Sequence, residues 1–158
     1  MADASFTDRF WKAVAAAWPM VRGGSVPWTP LARPIAEARV ALVTTCGVHR
    51  RSDPPFDLGD RRGDPSFREL PADVRPDDLM ITHGHYDQAD AERDLNVVFP
   101  LWRLHELAAL GEIGAVAPRH FGFRGAIYAP ARLIRASAPE VARQLSADRV
   151  DVVLLTPC

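Results

Sequence analysis

The sequence predicts an α/β fold: a single layered domain with a short, mostly parallel sheet flanked by helices and interrupted by long irregular loops. Three observations predict it. Apolar runs of strand length at residues 38–45 (ARVALVTT) and 150–156 lack polar alternation, which suits strands covered on both faces. Segments of helical period lie between them, so strand, helix and strand alternate as in βαβ units. The 158 residues, 47% hydrophobic and 25% charged, suffice for one buried core and are short for two.

The elements follow in chain order. Phe6, Phe10, Trp11, Val14 and Trp18 fall at helical spacing, with Ser5 or Thr7 as cap and Pro19 as stop, predicting an amphipathic helix within residues 1–22. Its apolar face either covers the domain's own core or docks on a partner. Residues 23–34 hold two glycines and three prolines and read as an extended connector to the α/β domain, which occupies the rest of 23–158. The run at 38–45 is a buried central strand closing in Cys46-Gly47. Residues 48–78, crowded with Asp, Arg, Gly and Pro, read as one long loop, a kind of segment that is functional or mobile in a compact domain. Residues 79–82 are a second short strand. Pro100 opens a helix over 101–110, with Leu101, Leu104, Leu107 and Ala108 as its apolar face and Gly111 as its stop. A short strand at 114–117, a helix at 139–147 capped by Ser137, and a buried strand at 150–156 beside residues 40–43 complete the domain.

Composition excludes several function classes. A net charge of −1 is unsuited to gripping phosphates, so no nucleic-acid partner is expected. The longest apolar stretches, around 13–21 and 150–157, are too short to span a bilayer, and no basic segment precedes a cleavable one, so no membrane role and a cytoplasmic location are expected. Two cysteines, Cys46 and Cys158, far apart in sequence, point to reduced thiols rather than a disulfide scaffold.

Polar residues concentrate after the strand at 79–82. His83, His85, Asp87, Asp90 and Asp94 are imidazoles and carboxylates, and an H-x-H pair on extended backbone projects both rings to one side. Three roles are open to them: capping the helix at 89–96, lining a substrate or partner pocket, or holding a divalent metal through His83, His85 and Asp87. The run THGHYD resembles the H-x-H-x-D-H motif of metallo-β-lactamase-fold hydrolases, but Gln88 stands where the last histidine belongs. Cys46 lies close in sequence to His49, an arrangement that can favour thiolate, and is otherwise a packing residue. Arg119 and His120 form a basic pair suited to a substrate carboxylate or to the surface.

In order, PWTPL (27–31), ALVTTCGVH (41–49), PFD (55–57), THGHYD (82–87), ADAERDLNVVFP (89–100), GEIGAVAPRH (111–120) and DVVLLTP (151–157) resemble the selenoprotein B subunits of the glycine, sarcosine, betaine and D-proline reductases, the D-proline type most closely. The resemblance covers about residues 27–158. It implies a redox subunit in reductive cleavage of a C–N bond of a small amino acid or amine, with a selenocysteine or cysteine nucleophile reset by a dithiol reductant. The leading reading puts Cys158 at or beside that centre and His83, His85, Asp87, Arg119 and His120 around the substrate, with Cys46 as a second, locally added candidate thiol. The resemblance implies no cofactor bound in this chain and a partner subunit carrying a pyruvoyl group that activates the amine; a homo-oligomer is the other possible assembly. The chain departs from the family at Gly84, where many relatives are acidic, and at Cys46, where many have a small residue.

A buried strand ending in Pro157-Cys158 is an odd finish, because a parallel strand normally leads into a covering helix. The expectation is a longer selenoprotein ended at a selenocysteine codon directly after Cys158; a short subunit whose sheet another polypeptide completes is the alternative. Two other functions stay open: a small metal-dependent hydrolase, and a non-catalytic assembly subunit anchored by Phe10, Trp11 and Trp18. The leading reading expects His83, His85 and Arg119 to converge on one cleft at the carboxyl ends of the strands.

Overall fold

The structure is a computed structural model that describes residues 29–84 and 86–158. The predicted N-terminal helix, the first half of the connector and His85 lie outside the described residues. From Leu31 to Cys158 the chain forms one compact α/β unit.

The predicted central strand is β1 (Arg39–Thr44), and its residues run almost wholly buried because both faces are covered. Four strands join it: β3 (Arg68–Pro71), β5 (Ala115–Val116), β6 (Arg119–Gly122) and β7 (Val152–Thr156). The β5, β6 and β7 pairings with β1 are parallel, and β3 adds to β6 antiparallel. Along one edge β1 pairs with β7 over its whole length, Val40 opposite Val152 through Thr44 opposite Thr156. The other edge is shared, Arg39 and Val40 pairing with β5, and Val43 and Thr44 with β6.

Side chains alternate across the sheet. Val40 and Leu42 join Phe99, Leu101 and Leu104 in the larger core cluster, under α2 (Leu101–Ala109). Val43 packs instead with Phe121, Phe123 and Val141, under α3 (Ala138–Ala147). Helices thus lie on both faces of a mostly parallel sheet. Among the described residues no helix is long and apolar enough to cross a membrane.

The structure corrects four expectations. Residues 48–78 are not one loop: they contain β2 (Val48–Arg50) and β3, and β2 pairs antiparallel with β4 (Leu79–Ile81) in a separate ribbon. Their polar composition hid strands that are short and partly exposed. Ser137 does not cap α3; its backbone is already helical, at the end of a π-helical turn over Leu133–Ser137 that runs into α3. The final strand is paired but not buried. Among the described residues β7 has a strand neighbour on one edge only, β1, and Leu154 and Leu155 are 41% and 66% exposed. The cysteines, expected as free thiols, are joined as a Cys46–Cys158 disulfide.

That pairing has a simple cause. The β1–β7 register couples residues 112 apart, as Val40 with Val152, and 112 is also the sequence separation of the two cysteines. Each cysteine lies two residues past the Thr44–Thr156 pair, so the register carries them to facing positions with Cα atoms 5.3 Å apart.

Candidate redox site at the strand ends

The cysteine pair stands at the carboxyl ends of β1 and β7, where open α/β sheets place their ligands. Cys46 is buried, 1% exposed, whereas Cys158 is exposed. Three threonines surround the pair. The Thr44 and Thr156 hydroxyls both donate to the Val98 carbonyl, at 2.9 and 2.8 Å. The Cys46 amide donates to Thr44 Oγ1 at 3.2 Å, and the Cys158 amide to Thr45 Oγ1 at 3.3 Å. Cys46 Sγ lies 3.5 Å from the Thr156 carbonyl oxygen.

After Cys46 the chain turns sharply out of the sheet through Gly47, which has φ +75°. A Cβ there would stand 2.4 Å from the Thr82 carbonyl oxygen, so the close approach needs glycine. Thr82 N–H donates to the Gly47 carbonyl at 2.9 Å and brings the start of the histidine segment beside the cysteine turn. Tyr86 completes the contact: its hydroxyl donates to the Cys46 carbonyl at 3.0 Å, and its ring lies 4.8 Å from that of His83. Burial raises the Tyr86 phenol above its ordinary range, which keeps it a neutral donor at neutral pH. His83 is itself buried, and its carbonyl accepts from Gln88 Nε2.

The other nominated residues lie elsewhere or do other work. Both ring nitrogens of His49 are engaged by groups other than Cys46. Its Nδ1 faces the Arg50 carbonyl at 2.8 Å and so carries the proton, leaving Nε2 to accept from the Thr82 hydroxyl at 2.8 Å. Asp87 accepts from the Ala89 amide at the start of α1 (Ala89–Arg93), and Asp94 from the Asn96 amide, so both cap local turns. Asp90 pairs with Arg93 on the surface. Among the described residues no three His, Cys, Asp or Glu side chains are placed to hold a metal ion.

Arg119 does not join the cysteine end. It opens β6, three residues before Gly122, or about 10 Å along the strand from the residue opposite Thr44. Its guanidinium is held by Asp148, with Nη2 2.9 Å from Oδ1, and also meets Gln144 and Glu69; Asp148 first and then Glu69 raise its pKa, and the contacts tie β6 to the end of α3.

His120 is wholly buried and serves the sheet. Where β1 changes partner from β5 to β6, no backbone carbonyl faces the Leu42 amide, and His120 Nδ1 accepts that hydrogen bond at 2.9 Å. Its ring stands edge-on to Phe99, centroids 5.9 Å apart. Burial, with a smaller contribution from the charge of His105, pushes its pKa down to about 4, so the imidazole is neutral at physiological pH.

Sequence reasoning missed Thr44, Thr45, Thr156 and Tyr86 as site residues. Their signal was present in the TTC and LTPC endings of two strands, but only the parallel pairing shows that those endings meet. A cavity of about 530 Å³ lies on the β2–β4 ribbon, lined by residues such as Arg51, Met80 and Arg93, and none of the nominated site residues lines it.

Comparison with known proteins adds the wider setting. Residues 12–158 match the family described as glycine/sarcosine/betaine reductase selenoprotein B. The chain is 42% identical over 129 residues to the D-proline reductase subunit gamma of Acetoanaerobium sticklandii, covering 82% of this chain and 52% of that protein. It is 28% and 29% identical to the glycine reductase complex component B subunits gamma of Carboxydothermus hydrogenoformans and Symbiobacterium thermophilum, covering 87% and 88% of this chain and 32% and 33% of those proteins. The chain thus spans about half the length of the first relative and about a third of the other two. No solved structure matches it.

Proposed function

The chain belongs to the glycine/sarcosine/betaine reductase selenoprotein B family, and from that premise we propose that it is a thiol-redox subunit of a reductase complex that cleaves a C–N bond of a small amino acid or amine. One observation carries the reading: the parallel register of β1 and β7 brings Cys46 and Cys158 together at the carboxyl ends of the strands.

The difference in exposure divides the work. In the reduced pair the exposed Cys158 thiolate attacks the substrate carbon that bears nitrogen; a C–S bond forms, the C–N bond breaks, and its electron pair leaves on nitrogen, which takes a proton. The buried Cys46 thiolate then attacks the Cys158 sulfur. The S–S bond forms, the C–S bond breaks, and the carbon takes the second proton. Two electrons have passed from the dithiol to the substrate, and a dithiol reductant resets the disulfide by attacking the accessible sulfur. A pyruvoyl carbonyl on a partner subunit, as the family implies, supplies electron withdrawal at the amine. His83 and Tyr86 border the cysteine turn, and the Tyr86 hydroxyl holds the Cys46 carbonyl in place during the exchange.

The test is a thiol count during turnover. Pre-reduced protein is mixed with the pyruvoyl-bearing partner and D-proline as probe, because D-proline is the substrate in the name of one relative. Two thiols lost per C–N bond cleaved, and neither loss nor cleavage with Cys158→Ser, is the expected result. Cleavage by Cys158→Ser at the wild-type rate would overturn the assignment.

A further inference from the structure

Resting on the redox reading of the cysteine pair, we propose that Thr44 and Thr45 are positioning residues for it, each hydroxyl holding the backbone amide of one cysteine. The argument starts from how a parallel ladder ends. Thr45 N–H donates to the Thr156 carbonyl at 3.1 Å, the last regular rung between β1 and β7. The next rung would run from the Cys158 amide to the Thr45 carbonyl. That amide instead meets the Thr45 hydroxyl at 3.3 Å, so a side chain extends the ladder to the cysteine.

Cys46 is held in the matching way on the other strand. The Phe123 carbonyl, which faces the end of β1, accepts from Gly47 N–H at 2.8 Å, so the Cys46 amide has turned away from the sheet. It finds Thr44 Oγ1. Thr44 is wholly buried, and its hydroxyl proton goes to the Val98 carbonyl, which also receives Thr156. Its orientation is therefore fixed by a carbonyl outside the cysteine turn. One carbonyl anchors the Thr44–Thr156 register pair, and Thr44 at the end of β1 and Thr45 just after it each fix one cysteine.

These bonds hold backbone atoms and do not depend on the sulfurs being joined. They keep the two Cα positions facing each other in the dithiol as well, which raises the effective concentration of one thiol at the other and favours ring closure. A valine at either position keeps the strand and the shape but loses the hydroxyl, and a serine keeps the hydroxyl.

The experiment equilibrates the full chain in dithiol/disulfide buffers of graded ratio, quenches by alkylation, and reads the oxidised fraction by mass for wild type, Thr44→Val, Thr45→Val and the two serine variants. The expected result is a two-electron transition in the wild type, displaced in each valine variant toward the dithiol by about ten-fold in equilibrium constant, or about 30 mV, with the serine variants within about two-fold of wild type. Thermal unfolding of the reduced proteins separates positioning from general stability: a purely structural role lowers Tm and leaves the midpoint in place. Thr45 is only partly buried, so Thr45→Val folds even where Thr44→Val does not. Valine variants with the wild-type midpoint overturn this inference and leave the redox reading standing. A wild-type chain that never closes the disulfide overturns both.

Discussion

His120 makes the stability of this fold fall with acidity over a defined range. Its folded pKa is about 4 and the ordinary value 6.5, so in the unfolded chain it takes a proton below about pH 6.5 while in the fold it stays neutral until about pH 4. Protons therefore bind the unfolded state preferentially between those values, and stability is lost as pH falls through that window. From pH 7 to pH 5 the loss is about 2 kcal/mol, and it levels off at about 3 kcal/mol below pH 4. The comparison variant is His120→Asn, whose side-chain oxygen can accept from the Leu42 amide but does not titrate. It gives up the ring's contact with Phe99, so it is less stable than wild type at pH 7 by about 2 kcal/mol. Urea unfolding followed by tryptophan fluorescence, with the disulfide kept closed, measures both proteins at each pH. A 2 kcal/mol loss moves the wild-type midpoint by roughly 1 M relative to the variant. A difference between wild type and His120→Asn that stays flat from pH 7 to pH 5 would refute the reasoning, because it would mean that the ring is not held neutral by burial.

Two further outcomes are expected. Arg119→Ala lowers stability by about 1 kcal/mol, and a double-mutant cycle with Asp148→Ala returns a coupling of about 0.5 kcal/mol or more, while the midpoint of the Cys46–Cys158 couple is unchanged; a shifted midpoint would tie Arg119 to the cysteine pair after all. Gly47→Ala costs about 2 kcal/mol or more by chemical denaturation, because the new Cβ meets the Thr82 carbonyl and the backbone is left-handed, whereas Gly84→Ala, whose Cβ meets nothing within 4 Å, stays within about 0.5 kcal/mol of wild type.

How far the sequence reveals this structure depends on the reach of each signal. The strand over Arg39–Thr44 is legible because both faces are covered and no polar residue interrupts it between Arg39 and Thr44. The helix over Leu101–Ala109 is legible because proline opens it and a left-handed glycine follows it. β2 and β3 are obscure for the opposite reason: three and four residues long, they include polar side chains at exposed positions and carry no period long enough to read. His120 misleads because a histidine beside an arginine looks like anion chemistry. Its task, filling a missing rung where β1 changes partner, exists only once three strands are assembled. Arg119 misleads for a related reason, since its partner Asp148 lies 29 residues later at the end of a helix on the opposite side of β6 from His120.

The cysteines are the extreme case of this non-locality. Nothing within a dozen residues of Cys46 points to Cys158, and only the pairing of the first strand of the sheet with its last joins them. A slip of β7 by one residue would bring Pro157 opposite Thr44, turn the Cys158 side chain to the other face, and leave the Val152 side chain on the face away from the large core cluster. Thr156 would lose its approach to the Val98 carbonyl at the same time. The register that keeps Val152 against that core, seats two hydroxyls on one carbonyl and sets two sulfurs face to face is therefore a single choice. It is enforced by packing along the strand and by polar anchors at its end. Because packing and the meeting of the cysteines depend on the same pairing, changes in β7 that loosen its seat on the core act on the Cys46–Cys158 pair without touching a cysteine.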